Sequence, residues 1–340
     1  MEDLKRRKRL RHSLIALFTV IIFILPFIIT NNYYRSVLVI IGIYTTVVVG
    51  LCLLMGYAGQ ISLGHAGFYG LGAYVSGVLT STYDVSPWIA ILLGAVGTGL
   101  VAYIIGIPIF RLQGHYLALA TLGLGLIIHV VMMEEVDITG GPSGLTKSIP
   151  YLSIGRFELN TDFKYYFLVW IVALAAIILA NNVVHSRIGR ALRSVHGSEF
   201  AAQSLGVDTG KYKLQVFTLS AIYASVAGSL YAHYITFISP SPFGLMTSIQ
   251  FLVMAVVGGL ASIWGPIFGV TAITLLTEGL KYIVPKMIPQ AGGEYEIVVY
   301  GVILVIIMIF LPEGITSGIV NIYEGWRHRK ELADVTSGDK

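Results

Sequence analysis

A serine and a histidine stand three residues apart in a glycine-rich stretch, and these residue types can act as a nucleophile and its general base. Ser62 and His65 belong to the run G-Q-I-S-L-G-H at residues 59–65. No GxSG-like nucleophile motif accompanies them, so the case for an intramembrane protease is weak. We expect the polar atoms of the His65 ring to be hydrogen-bonded within the helix packing, and we predict no catalytic residue. The sequence also lacks a GxxxxGK[ST] phosphate loop, so we expect no ATP hydrolysis by the chain itself.

The wider stretch 56–74 contains six glycines among polar side chains, a composition that a plain lipid-facing helix would avoid. In hydrocarbon, irregular backbone persists only where protein or a water-filled cavity satisfies it. We therefore predict a broken or re-entrant helix that lines a pathway, with free amides that could hold a carboxylate. The alternative is that the glycines only allow close helix packing. The candidate pathway residues are Gly59, Gln60, Ser62, Gly64, His65, Gly67 and Tyr69.

A polar segment at 183–214 interrupts the apolar second half of the chain, and its pattern is helical. Apolar residues recur every three or four positions with arginines between them, which predicts an amphipathic helix. Gly197 should end that helix, and Ser198 should cap a second short helix that stops at Gly206 in a left-handed conformation. The apolar positions are Ile188, Ala191, Leu192 and Val195, and the arginines are Arg187, Arg190 and Arg193.

Two functions fit this segment, which is named the elbow below. A connector between two membrane spans needs only a handful of residues, so the length of the elbow favours a docking element for a cytosolic partner. The alternative is an interfacial helix whose arginines lie on anionic lipid headgroups. The spacing of residues alone does not separate the two.

The composition is that of a membrane protein. Of 340 residues, 56% are hydrophobic and 12% are charged, and the mean hydropathy is +0.80, whereas soluble domains carry about 25% charged residues. The formal charge of +4 could suggest nucleic acid, but the basic residues lie beside apolar spans, where topology explains them. The single cysteine, Cys52, excludes an internal disulfide. No metal site is predicted.

Apolar segments of near the ~20 residues needed to cross a bilayer predict an all-α polytopic membrane protein of about ten transmembrane helices, with glycine-rich broken or re-entrant segments. We treat 1–340 as a single transmembrane domain. A second glycine-rich break is expected at 257–269, and two such breaks in opposite halves are typical of transporters built from repeats. The predicted spans are 13–30, 37–55, 65–82, 88–109, 115–133, 164–182, 215–237, 246–260, 264–283 and 296–311.

The distribution of basic residues predicts the orientation of these spans. With the N-terminus inside, 16 of the 22 Lys and Arg residues fall on inner segments, as the positive-inside rule expects for an even number of spans. Both termini and the elbow are then cytoplasmic. The predicted inner segments are the basic N-terminus at 1–13, a short loop at 110–114, the elbow at 183–214 and the C-terminal tail at 312–340.

The largest predicted external segment is the loop at 134–163. It contains T-G-G-P-S-G-L at 139–145, which is either a contact for an extracellular partner or ordinary turn chemistry. The candidate residues are Thr139, Gly140, Gly141 and Gly144.

Three segments, in order along the chain, resemble one family. The run G-Q-I-S-L-G-H-A-G-F-Y-G-L-G-A-Y at 59–74 is similar to the segment typical of M-type permease subunits of branched-chain amino-acid ABC importers. The motif at 139–145 resembles the T-G-G-x-x-G-L of their outer loop, and 190–206 resembles their E-x-A-A-x-x-x-G coupling segment. The matching elbow residues are Glu199, Ala201, Ala202 and Gly206. Where relatives often carry an Arg-Glu pair before this segment, the chain has Val195, His196 and Gly197.

The resemblance implies a type II ABC importer permease, without a cofactor, in the prokaryotic plasma (inner) membrane. It implies that the chain forms half of a pathway for hydrophobic, branched-chain amino acids and that the elbow receives force from an ATPase. The implied partners are a second permease subunit of the H type, two cytosolic ATP-binding subunits and an extracytoplasmic substrate-binding protein.

Other transport functions remain open at this stage. A urea- or amide-type ABC permease shares the fold and much of the pattern. An ion-coupled secondary carrier is less favoured, because no Asp, Glu, Lys or Arg lies in the middle of a predicted span to serve as a relay. A non-transporting membrane scaffold is a further alternative.

Overall fold

The computed structural model describes residues 20, 22–112, 114–155, 157–260, 262–287, 301, 302, 305, 309 and 314. The basic N-terminal segment 1–13 lies outside this range, as do residues 14–19 and 21 of the predicted first span at 13–30. The predicted tenth span at 296–311 is described at four positions, all helical, and the tail at 312–340 only at Gly314.

Helices dominate the described part of the chain. A helical segment at 22–28, α1, is followed by α2. The Asn31 side chain caps the start of α2 by accepting a hydrogen bond from the Tyr33 amide. The other long helices that the structure describes are α3 (His65–Thr82), α4 (Pro87–Ile109), α5 (His115–Glu134), α7 (Asp162–His185), α10 (Thr209–Ile235), α11 (Leu245–Gly258) and α12 (Gly265–Met287), and α2 itself is Asn32–Cys52.

Short elements fill two connections. The loop at 134–163 contains α6 (Val136–Thr139), a 3₁₀ turn (Gly141–Ser143) and an antiparallel pair of two-residue strands, β1 (Ser153–Ile154) and β2 (Phe157–Glu158). The elbow contains α8 (Arg187–Gly197) and α9 (Glu199–Ser204), and a further 3₁₀ turn (Ser241–Phe243) precedes α11. The small sheet was not expected from the sequence.

In the part of the chain that the structure describes, five helices are long and apolar enough to cross a membrane. They are α2 with its C-terminal extension to Tyr57, α4, α5, α7 and α10. The predicted spans from 37–55 to 264–283 each coincide with a helix, with ends that differ by a few residues. The count of about ten spans is not confirmed, since α11 has only 14 residues, the first predicted span is described only in part, and the tenth is described at four positions.

The centre of the helix packing is α10, which contacts α2, α3 and α4. Small residues make this contact close: a Cβ added at Gly228 of α10 would meet the Tyr69 carbonyl oxygen at 1.8 Å, and one added at Gly72 would meet that of Ser225 at 2.1 Å. The Ser229 hydroxyl donates to the Gly72 carbonyl at 2.9 Å. Such close approach of backbones is how helices associate in lipid, where apolar burial gives little drive.

The outward faces of the helices are apolar. On α4 the exposed side chains include Ile89, Leu92, Leu93, Val96, Leu100 and Ile104. A soluble protein rarely exposes so large an apolar surface, and we interpret this face as one that contacts lipid or another membrane subunit.

Candidate functional site at the elbow

The glycine-rich break, defined here as residues 58–64, begins where α2 changes its winding. Residues Leu53–Tyr57 form a π-helical turn, and Gly59 follows with a φ of +69°. The chain then runs in a non-helical conformation until α3 begins at His65. The predicted interruption of the helix is therefore confirmed. A similar break separates α11 from α12, where Gly259 has a φ of +103°.

His65 is buried between two serines, Ser62 of the break and Ser220 of α10. Its Nδ1 lies 2.9 Å from the Ser62 hydroxyl and its Nε2 lies 3.0 Å from that of Ser220. Since Ser220 donates to the Phe217 carbonyl, Nε2 carries the proton toward Ser220, and Nδ1 accepts from Ser62. Both ring nitrogens are hydrogen-bonded, as expected of a packing histidine, and among the described residues no carboxylate bonds to this ring to complete a catalytic triad.

The glycines of the break and of α3 pack against α5. A Cβ added at Gly64 would lie 2.3 Å from the Thr121 carbonyl oxygen, and one at Gly67 would lie 3.3 Å from Gly125 Cα. The Leu63 amide donates to the Thr121 hydroxyl at 3.1 Å, and the Ala66 amide to Ser248 at 3.0 Å. The expectation of free amides is thus wrong for these two, because hydroxyls of neighbouring helices occupy them.

The candidate pathway residues divide by exposure. Ser62, Gly64, His65, Gly67 and Tyr69 are buried inside the subunit, whereas Gly59 is exposed and Gln60 is half-buried. The Gln60 side chain donates to the Ala58 carbonyl at 2.8 Å. Only the start of the break therefore lies at the surface of the isolated subunit.

The two predicted helices of the elbow are present. The Ser186 hydroxyl accepts from the Ile188 amide at 3.1 Å and caps α8, and Ser198 accepts from the Ala201 amide at 3.3 Å and caps α9. Gly206 follows α9 with a φ of +81°, the left-handed conformation that glycine adopts without a Cβ clash. The apolar side of α8 is turned inward, with Leu192 and Val195 buried.

A buried ion pair joins α9 to α10, and sequence reasoning did not find it. The Glu199 carboxylate lies 2.6 Å from Lys213 Nζ, and the Lys213 side chain is only 1% exposed. Thr209 donates to the same carboxylate oxygen at 3.2 Å, and Gln203 donates to the Thr209 hydroxyl at 2.9 Å. A charge so deeply buried must be paired, so Glu199 has a structural partner.

The elbow lies against the glycine-rich break. The Arg193 guanidinium stands 5.7 Å from the centre of the Tyr57 ring and donates to the Val184 carbonyl at 3.3 Å. A Cβ added at Gly59 would lie 3.2 Å from His196 Nδ1. Two segments that the sequence singled out separately, about 140 residues apart, thus form one site.

Two large apolar side chains are exposed on α9 and directly after it. Phe200 is 74% exposed and Leu205 is 83% exposed. Their neighbours Ala201 and Gly206 are also exposed, whereas Ala202 is buried, and Arg187, Arg190 and Arg193 lie on the exposed side of α8. The sequence motif pointed to this segment but not to Phe200 and Leu205 as its exposed apolar residues.

The motif of the 134–163 loop forms a tight turn. The Thr139 hydroxyl donates to the Met132 and Glu135 carbonyls at 2.8 and 2.7 Å, and the Gly141 amide donates to it at 3.1 Å. Gly140 and Gly144 both have positive φ, and a Cβ on Gly144 would meet the Ile238 carbonyl oxygen at 2.3 Å. This geometry favours turn chemistry over a partner contact.

No group of three His, Cys, Asp or Glu side chains placed to hold a metal occurs among the described residues.

Comparisons with known proteins agree with this architecture. Residues 33–308 match the model of the family described as "Branched-chain amino acid transport system / permease component". The chain is 29% identical over 296 residues to the high-affinity branched-chain amino acid transport system permease protein LivM of Salmonella typhimurium and to that of Escherichia coli, covering 80% of this chain and 67% of each relative. It is 26% identical over 255 residues to a probable branched-chain amino acid transport permease protein LivH of Methanocaldococcus jannaschii, covering 73% of this chain and 80% of that protein.

Proposed function

The chain belongs to the family of branched-chain amino acid transport system permease components, and from this we propose that it forms half of an ATP-driven import pathway for hydrophobic, branched-chain amino acids. It is a multi-pass membrane subunit of an ABC importer. The names of the LivM relatives specify branched-chain amino acid transport. This favours branched-chain amino acids over urea or amides as the substrate class.

The exposure of the apolar side chains of Phe200 and Leu205 is the main support for the proposal that the elbow docks an ATPase. A helix that lies on lipid turns its apolar face to the bilayer, but α8 turns Leu192 and Val195 into its own protein. The most exposed large apolar side chains of the elbow are Phe200 of α9 and Leu205 directly after it, whereas Ile188 of α8 is 37% exposed. The six-residue helix α9 is fixed from behind by the Glu199 ion pair. Large apolar side chains on a rigid, basic segment suit a pocket on a protein partner better than a headgroup layer.

The contacts of the elbow suggest how force reaches the membrane helices. A partner can shift a conformational equilibrium only by binding its two states differently. We infer that movement of the docked elbow passes to α10 through Lys213 and to the glycine-rich break through Arg193 and His196. Gly59 and Gln60 then border the inner mouth of the pathway, and the buried residues Ser62, Gly64, His65, Gly67 and Tyr69 hold the break against α5 and α10.

The proposed assembly has a second permease subunit of the H type, two cytosolic ATP-binding subunits and an extracytoplasmic substrate-binding protein. In this proposal the subunit resides in a prokaryotic plasma membrane with the elbow and both termini in the cytoplasm. The interspersed arginines of α8 then follow the positive-inside rule.

Reconstitution of the complete assembly in liposomes tests the proposal. ATP-dependent uptake of labelled leucine is expected, with none of urea. Replacing both Phe200 and Leu205 by serine should weaken ATPase binding at least about tenfold, since each buried side chain contributes about 1.5–3 kcal/mol. Ser204→Ala, on the same short helix, is the matched control and should bind normally.

Two outcomes would contradict the proposal. One is accumulation of leucine by the chain alone in liposomes with an ion gradient, which would make it a self-sufficient carrier. The other is normal ATPase binding by the Phe200→Ser, Leu205→Ser variant, which would remove the elbow from the docking surface.

A further inference from the structure

A cavity of about 340 Å³ opens at the end of the helix bundle that is remote from the elbow. It lies between the first half of α2, the segment that leads into α7, and the last turn of α10. Its walls include Ser36, Ile40, Tyr151, Asn160, Asp162 and Tyr234. Because α7 begins at Asp162 and reaches the elbow after 24 residues, the cavity and the elbow are separated by roughly 36 Å at 1.5 Å per residue.

The polar side of this cavity centres on one carboxylate. The Tyr234 hydroxyl donates to Asp162 Oδ1 at 2.8 Å. The ion pairs in the described part of the chain are Glu199 with Lys213 and Glu278 with Lys281, so Asp162 has no cationic partner there. A carboxylate has about four acceptor positions, and the phenol fills one of them.

The nearby basic side chains are engaged elsewhere. Lys164 donates to the Glu158 carbonyl at 3.2 Å and to Asn160 Oδ1 at 3.4 Å. Arg35 donates to the carbonyls of Ile29 and Pro26 at 2.7 and 3.1 Å. The cavity therefore presents a negative charge with unused acceptor capacity, and its lining contains no cation among the residues that the structure describes.

The rest of the lining is partly polar, from Ser36, Asn160 and Thr161, and partly apolar. Ile40 and the Tyr151 ring face the same space, together with Leu159 and Ile235. A cavity near 300 Å³ is at the small end of the range for ligand sites. Its features suit a small molecule with an ammonium group at one end and a short aliphatic body.

We propose that this cavity binds the ammonium group of an aliphatic amino acid, with Asp162 as the anionic partner and Ile40 against the aliphatic side chain. The choice of an amino acid rests on the proposed function, but the recognition of an ammonium group rests on the cavity alone. The site would receive solute on the face opposite the ATPase, before it passes along the helices.

Calorimetric titration of the purified full-length permease in lipid nanodiscs tests the site. The probes are leucine, isoamylamine, which keeps the ammonium but lacks the carboxylate, and isocaproate, which keeps only the carboxylate. Leucine and isoamylamine should bind, and isocaproate should not. Asp162→Asn should weaken binding of both amines by about tenfold or more, the effect of losing a hydrogen bond between charged groups.

Three further variants make the result specific. Asp162→Glu keeps the charge and should bind isoamylamine within a few-fold of the unchanged protein. Ile40→Trp fills the cavity without touching the carboxylate and should abolish binding. Asp137→Asn removes an exposed acid of the same loop region and should have no effect. Binding of isocaproate equal to that of the amines, or undiminished amine binding by Asp162→Asn, would overturn the proposal.

Uptake of leucine by the complete transporter separates this proposal from the function itself. Normal ATP-driven leucine uptake, together with amine binding that Asp162→Asn does not weaken, would reject the cavity as the binding site and leave the proposed transport function standing. Asp162-dependent amine binding without any leucine uptake would keep the site and reject the choice of substrate.

Discussion

The carboxylate of Glu199 lies 2.6 Å from the ammonium of Lys213, and this ion pair ties the short helix α9 to the first turn of α10. Lys213 is almost fully buried, whereas Glu199 keeps some exposure. The residue that the family motif marks in the elbow is therefore also a structural anchor. The position of the exposed Phe200 depends on this anchor, because Phe200 follows Glu199 directly in α9.

Replacing Glu199 by Gln should destabilise the elbow by roughly 3 kcal/mol, because the buried Lys213 charge loses its partner. The purified permease should melt at a lower temperature, and ATP hydrolysis should be uncoupled from uptake while membrane insertion is unchanged. The double variant Glu199→Gln, Lys213→Met is the control, since removal of both charges should recover most of the melting temperature. Equal melting of the single variant and the unchanged protein would contradict a buried pair.

Gly206→Ala should impair coupling through the backbone alone. Its φ is +81°, and nothing lies within 4 Å of an added Cβ, so the cost is the left-handed strain of about 1–2 kcal/mol. Gly197→Ala is a matched control at the end of α8, where an added Cβ also meets nothing within 4 Å and φ is not positive. We expect reduced leucine uptake per ATP for Gly206→Ala and normal uptake for Gly197→Ala. Equal leucine uptake per ATP by both variants would show that the left-handed turn at Gly206 is not needed for coupling.

Gly228→Ala should disturb the central helix packing. Its Cβ would lie 1.8 Å from the Tyr69 carbonyl oxygen, so α3 and α10 must separate, at a cost of about 1–3 kcal/mol or more. Gly97→Ala, a helical glycine with nothing within 4 Å, should be neutral or slightly stabilising. Thermal unfolding of the two purified variants measures the difference, and similar melting temperatures would contradict the described contact between these helices.

A disulfide between the elbow and the glycine-rich break should lock transport. A Cβ at residue 59 would lie 3.5 Å from His196 Cα. The two Cα atoms are therefore no more than about 5 Å apart, which a disulfide can bridge. The variant Gly59→Cys, His196→Cys should cross-link under oxidation and lose ATP-driven uptake, and a reductant should restore it. Each single cysteine variant is the control. Cross-linking without any change in uptake would mean that the elbow does not move against the break.

Most helices were predictable from the sequence because their signals are local. The spacing of Leu192 and Val195 and the capping serine Ser198 are properties of neighbouring residues, and the structure has both α8 and α9 where they were predicted. The left-handed turn predicted at Gly206 is likewise present, with a φ of +81°. Such features need no knowledge of the rest of the fold.

The partners of these residues were not predictable in the same way. Lys213 is 14 positions from Glu199, and Ser220 is 155 positions from His65, so each pair depends on how helices pack. The expectation of free amides before α3 failed for the same reason, because Thr121 and Ser248 come from helices distant in sequence. The cavity at Asp162 is formed by three separate segments, and no single segment shows it.

The helices α7 and α10 each extend without interruption from the Asp162 cavity to the elbow. A continuous helix resists compression along its axis, so tilting one end displaces the other by a comparable amount. The proposed solute capture on one face and the proposed nucleotide-driven motion on the opposite face would therefore be linked by two continuous helices. In that proposal a tilt of α7 and α10 couples solute binding to ATP hydrolysis without a chain of side-chain rearrangements in between.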